Sequence, residues 1–371
     1  MKSQRHFHSP LLMLGIVALV FGMWAGLIRI GWYLPPAPVS FALLHGPLMI
    51  AGGLGTLISL ERTAVFNSRW GYLAPLLTLT GACGLIFNAP WNLGPIFILA
   101  GSVVLVTLFS DMFQNRASLA TTTMALGALA WLIGNGLWLT GQPIFTFVLW
   151  WAGFLALIIT GQRIEYGQLN CSSHRSESAF LTTASIFLIG LIMCVVVYDL
   201  GVRIVGFGMV GVACWLLFQE CAWRNASQSN FARFIAACLL PGYLWLIVSG
   251  VAGMLFGSVP GGKLYDAWLH ALFVGFVFSM IFAHTPLILS QTFGIKTRFS
   301  RSFYIHLILL QVSLLIRIGA DLMGWQTMRE WGGMINAIAL MLFLINTIWF
   351  GRRAIPAPKQ QVSRGTTSSV R

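Results

Sequence analysis

The sequence predicts an all-α, polytopic integral membrane protein: a bundle of about twelve transmembrane helices with both termini in the cytoplasm. Three observations predict it. Of 371 residues, 57% are hydrophobic and only 8% charged, with a mean hydropathy of +0.82. A water-soluble domain carries roughly 25% charged residues, so this chain cannot cover a water-facing surface. The apolar residues also gather into runs of about 18–26 residues, each able to cross a hydrocarbon core of about 30 Å. Finally, the basic residues alternate by loop. Seventeen Lys and Arg, among them Lys2, Arg5, Arg62, Arg69, Arg116, Arg163, Arg175 and Arg233, fall in segments on the side of the N-terminus. Only Arg29, Arg203, Lys263 and Arg329 fall opposite. The positive-inside rule puts the richer side in the cytoplasm. The net charge of +13 is then a topology signal facing anionic lipid, and does not indicate nucleic-acid binding.

The first run, 11–31, follows Lys2 and Arg5 but is too long for a signal-peptide core. It continues into "LIRIGWYLPP" without a small-residue cleavage site, and so reads as an anchor. The second, 41–60, holds His45 and "AGGLG" and closes on Glu61–Arg62, which reads as an interfacial ion pair. Runs 71–88, 94–110, 117–139 and 143–161 follow, with Trp at their ends in "WGYL", "APWNLG" and "LWW", the pattern of an interfacial aromatic belt. The loop "GQLNCSSHRSES" divides the chain six spans and six. Runs 179–198 and 202–219 are separated by Asp199 and Arg203 alone. Runs 233–257, 266–290, 303–324 and 332–351 complete the set, and residues 1–355 form one domain. The Ser/Thr-rich tail 356–371 is expected to be disordered. The glycines inside spans point to close helix packing. The six cysteines contain no CxxC pair and none lies in an outside loop, so no disulfide framework or thiolate zinc site is expected.

An ionisable group inside hydrocarbon is a functional candidate by default. His45, His270, His284 and His306 qualify. His6, His8 and His174 fall in polar segments and are expected to be solvated. The second and tenth spans run in the same direction, and His45 and His270 lie about equally far into each. They are therefore expected to face each other at one level. In an uninterrupted α-helix His284, fourteen residues beyond His270, returns to within about 40° of its direction roughly 21 Å deeper. There His306 begins the eleventh span, giving a second expected layer. Facing imidazoles of this kind hold haem iron or a copper ion in helix bundles, with His45, His270 and His306 the candidates for an ion. For a b-type haem, Arg29 and Arg317 would neutralise propionates. Arg317 has an alternative partner in Asp321, four residues on.

The stretches "FALLHGPLMIAGGLGTLISLER" and "LHALFVGFVFSMIFAHTPLILS" resemble the NnrS family of twelve-span bacterial inner-membrane proteins. The resemblance implies haem or copper bound through His45 and His270, a place in the bacterial inner membrane and a role in nitric-oxide or metal stress. Here the second-span motif "LLHGP" has one His, where that family has a His-x-His pair with an acidic residue. A more distant resemblance is to subunit I of the haem–copper oxidases. The adjacent His–His and His-x-His pairs of that superfamily are missing, so oxygen- or NO-reducing turnover is not expected. The competing expectation is a secondary transporter, with Asn135, Arg317 and the histidines lining a path. No two-fold repeat accompanies it.

Overall fold

In the computed structural model, residues 5–35, 39–115, 117–166, 173–220, 229–295 and 298–352 are described. They form twelve helices in chain order: α1 (Arg5–Ile30), α2 (Pro47–Phe66), α3 (Leu73–Ile86), α4 (Leu93–Asn115), α5 (Leu119–Leu139) and α6 (Ile144–Glu165), then α7 (His174–Val196), α8 (Tyr198–Gln219), α9 (Asn230–Phe256), α10 (Gly262–Gln291), α11 (Phe303–Met323) and α12 (Gln326–Arg352). Eleven are long and apolar enough to cross a membrane; α3 is a shorter apolar helix entered through a 3₁₀ turn. The chain is a multi-pass membrane protein. The tail, Cys171, Cys221 and the side chains of His6 and His8 lie outside the described residues. The four described cysteines are free thiols.

The boundaries follow local chemistry. Ser118, Ser173 and Ser229 cap α5, α7 and α9, each accepting a hydrogen bond from the backbone N–H three residues on. Asn67 and Gly324 close α2 and α11 in the left-handed conformation. The sparse signal between the seventh and eighth spans is a true turn. Asp199 accepts from Arg203 Nε at 2.9 Å and from the Ser258 N–H at 2.7 Å, tying the α7–α8 corner to the end of α9.

Helix α6 is the central pillar, buried without interruption from Phe147 to Arg163. This corrects the reading of "LWW" as part of an aromatic belt. Trp150 and Trp151 are core, and the Trp151 indole N–H donates to Asn135 Oδ1 at 2.9 Å. Asn135 is thereby engaged in packing α5 on α6. Trp70, Trp91 and Trp331 are exposed, as belt residues are.

Two helices depart from α geometry. In α2, Pro47–Gly55 is π-helical before Thr56–Phe66 resumes the α form. In α10, π-helical Ala271–Phe278 separates Gly262–His270 from Ser279–Gln291. The wider turns begin two residues after His45 and one after His270. π segments recur at functional positions in helices.

The intramembrane glycines do pack helices together. A Cβ at Gly201 would stand within 2.6 Å of the Cys194 Cα of α7, and one at Gly206 2.4 Å from the Gly250 carbonyl oxygen of α9. Overpacking of this kind costs about 1–3 kcal/mol. Gly201→Ala should accordingly lower the thermal midpoint of the purified protein, measured by intrinsic fluorescence. Gly136→Ala, whose Cβ meets nothing within 4 Å, should leave it unchanged or raised.

Candidate functional site

The π turn in α2 and the first turns of α10 bring His45 and His270 together. Their ring centres are 6.1 Å apart and the planes 7° from parallel, so the expected pairing at one level is observed. His45 Nδ1 lies 2.8 Å from the Gly22 carbonyl of α1, and His270 Nδ1 lies 2.8 Å from the Asp266 carbonyl one turn back. A carbonyl only accepts, so Nδ1 carries the proton in each neutral ring and Nε2 presents a lone pair. Neither Nε2 has a hydrogen-bond partner among the described residues, and neither is sealed from the cavity that both rings line.

Helix α1 makes room for this arrangement with two glycines. A Cβ at Gly26 would stand 2.6 Å from His45 Nδ1, and one at Gly22 would stand 2.9 Å from Met49 Sδ. Met49, four residues after His45, and Met23 of α1 line the same cavity of about 120 Å³.

The second half of the site is ionic. Asp266 Oδ2 accepts from Arg317 at 2.9 and 3.3 Å and lies 3.3 Å from Arg329, while Oδ1 lies 3.4 Å from His270 Nδ1. Arg329 also pairs with Asp321 at 2.6 Å. The expected Arg317–Asp321 pair is therefore replaced: Arg317 crosses to α10, and Asp321 takes Arg329 of α12. Asp266 was legible as an acidic side chain four residues before His270, inside an apolar stretch. Its place at the start of a span disguised it as a boundary residue. Arg29 lines the cavity and is largely exposed.

The deeper histidines sit in different surroundings. The π segment of α10 lies between His270 and His284, so the phase of an uninterrupted α-helix does not apply. His284 is buried, with Nδ1 2.6 Å from the Met280 carbonyl, and borders a second cavity of about 370 Å³. His306 is buried too. It sits among Phe234, Phe282, Phe303 and Phe343, with Nδ1 3.2 Å from Asn346 Nδ2, and is not part of that cavity's lining. No ring contact joins it to His284.

Glu61–Arg62, near the end of α2, is buried within the bundle. Arg62 is fully buried, paired with Glu61 and, at 2.7 Å, with Glu165 of α6; Gln162 Nε2 donates to Glu61 Oε2 at 3.1 Å. Nearby Arg163 pairs with Glu220, which accepts from Tyr243 at 2.7 Å. These paired charges join α2, α6, α8 and α9. Charge counting by loops assigned Arg62 and Arg163 to aqueous segments because they lie at span ends.

Fold and site together define a polytopic α-helical membrane protein with a paired-histidine cavity between α1, α2, α6, α10 and α12, closed by Arg317 of α11. The chain belongs to the family described as Domain of unknown function (DUF8744), whose model matches residues 8–352. No curated protein matches it.

Removing one partner of a buried ion pair strands the other and costs about 3–5 kcal/mol. Asp266→Leu should therefore destabilise the protein strongly in chemical or thermal unfolding. Adding Arg317→Leu should recover part of that loss, making the double variant more stable than the sum of the two single changes.

Proposed function

We propose that the protein binds a single transition-metal ion, copper(I), through Nε2 of His45 and His270, as a membrane component of a metal- or nitric-oxide-stress response. The observation that carries this reading is the pair of imidazoles 6.1 Å apart, both with Nδ1 occupied by a carbonyl and Nε2 free. Two imidazole nitrogens at about 2.0–2.1 Å from a common ion hold their ring centres roughly 6 Å apart. A carbonyl bond to the distal nitrogen is how metal-binding histidines are oriented.

The donor set selects among ions. Among the described residues no cluster of three or more His, Cys, Asp or Glu side chains is arranged to hold a metal, so a structural zinc site with four such ligands is not offered. Two imidazoles beside the thioethers of Met23 and Met49 are a soft set of low coordination number, which suits copper(I). Charge favours it as well. Asp266 and Asp321 offset Arg317 and Arg329, leaving no surplus negative charge for a dication.

Haem fits less well. Arg317, expected to meet a propionate, is already committed to Asp266. The cavity, at about 120 Å³, is smaller than the roughly 300 Å³ at which cavities begin to take organic ligands. When bound, copper would supply redox chemistry or a cargo. The residues themselves orient the imidazoles and exclude water.

Titration of the purified full-length protein with copper(I) under reducing conditions, against a chromophoric chelator, should give one ion per chain. His45→Ala and His270→Ala should each weaken binding by at least about tenfold, whereas His306→Ala should not. Gly26→Val, which drives a side chain into the His45 ring, should weaken binding without removing a ligand. A wild-type protein that takes up no copper overturns the proposal, and a Soret band lost in the two histidine variants would assign haem iron to the pair instead.

A second reading, secondary transport, draws on the adjoining of the two cavities, which share Met23, Met49, Leu54, Phe278 and Leu340 as a common wall. Metal uptake into proteoliposomes that is abolished by Leu340→Trp would favour transport over static binding.

A further inference from the structure

The larger cavity adjoins the histidine-pair site through a shared wall but contains neither histidine of the pair, and its chemistry differs. It lies between α1, α2, α6, α10 and α12, and about 370 Å³ places it within the range of cavities that hold organic ligands. Its walls are mostly aliphatic and aromatic, from residues such as Leu57, Ile158, Ile288 and Phe343, with Glu61, Gln162, His284, Thr285 and Thr347 the polar side chains among them. At its rim Met13 is 47% exposed, so the cavity reaches the lipid-facing side of α1. A ligand entering there comes from the bilayer.

The walls also carry a fixed polar group. Gln162 is only 5% exposed and lines the cavity. Its amide nitrogen is held by Glu61 Oε2 at 3.1 Å, which fixes the orientation of the amide. The carbonyl Oε1 is left without a hydrogen-bond partner among the described residues, and it is not sealed off from the cavity. An acceptor held in an apolar chamber is costly unless a donor meets it.

We infer that this cavity binds a lipid-soluble molecule bearing a hydroxyl head, its O–H donating to Gln162 Oε1 and its apolar body filling the space between α1, α10 and α12. The inference is independent of the metal proposal. A membrane quinol and an aliphatic alcohol share this chemistry.

Equilibrium binding to the full-length protein in nanodiscs tests it with three probes: 4-decylphenol, its methyl ether 4-decylanisole, and 1-dodecanol. The phenol or the alcohol should bind at least tenfold tighter than the ether, which has the shape without the donor. The tighter of the two identifies the source as aromatic or aliphatic. Gln162→Leu should abolish the preference over the ether while the apolar body still binds. Because that change also frees Glu61, Ile288→Trp provides a second arm: it fills the cavity away from the ionic network and should weaken all three probes. Equal binding of phenol, alcohol and ether overturns the inference. So does the absence of binding, or binding that neither variant alters.

Discussion

One carboxylate holds the functional end of this bundle in place. Asp266, in the first turns of α10, receives Arg317 from α11, shares Arg329 of α12 with Asp321, and lies beside the His270 ring. In a low-dielectric interior such a charge persists only where it is paired and hydrogen-bonded. The three helices therefore cannot slide or rotate independently without stranding a charge. The position of His270 relative to His45 is a by-product of that constraint. The backbone carbonyl of Asp266 orients the imidazole, and its side chain fixes the helix that carries it.

The other end of the bundle repeats the device with different partners. Arg62 and Arg163, both buried, are neutralised by Glu61, Glu165 and Glu220. Between the two ionic ends lies a nearly all-apolar interior centred on α6. Van der Waals packing through glycine dominates there, because apolar side chains gain nothing by leaving lipid. The two cavities sit between these ionic ends, separated by Met23, Met49, Leu54, Phe278 and Leu340. That wall is close enough to both for occupancy of the inner cavity to alter packing around the histidine pair.

The π segments of α2 and α10 connect local geometry to the site. A π turn widens the helix by one residue and re-aims the side chains that precede it. In α2 it is favoured by Pro47, which has no N–H to give to an α-type bond, and by the glycines of "AGGLG". The widened stretches begin two residues after His45 and one after His270. That placement joins two helices distant in sequence into one cavity, and the π segment of α10 interrupts the α-helix between His270 and His284.

The sequence by itself determined the solvent, the number of helices and the shared level of His45 and His270. All three follow from composition, run length and counting residues along a helix axis. It also brought His45 and His270 together, because depth along two co-directional spans is additive in residue number. Azimuth was left to the tertiary structure. Which way a side chain faces depends on π turns, on glycine contacts and on which buried charges find each other across helices, and no residue count encodes these. Hence Arg317 turned to Asp266 rather than to Asp321, Trp150 and Trp151 became core rather than belt, and His306 joined a phenylalanine cluster. Glu61–Arg62 became the buried anchor that leaves the Gln162 carbonyl facing a mostly apolar chamber.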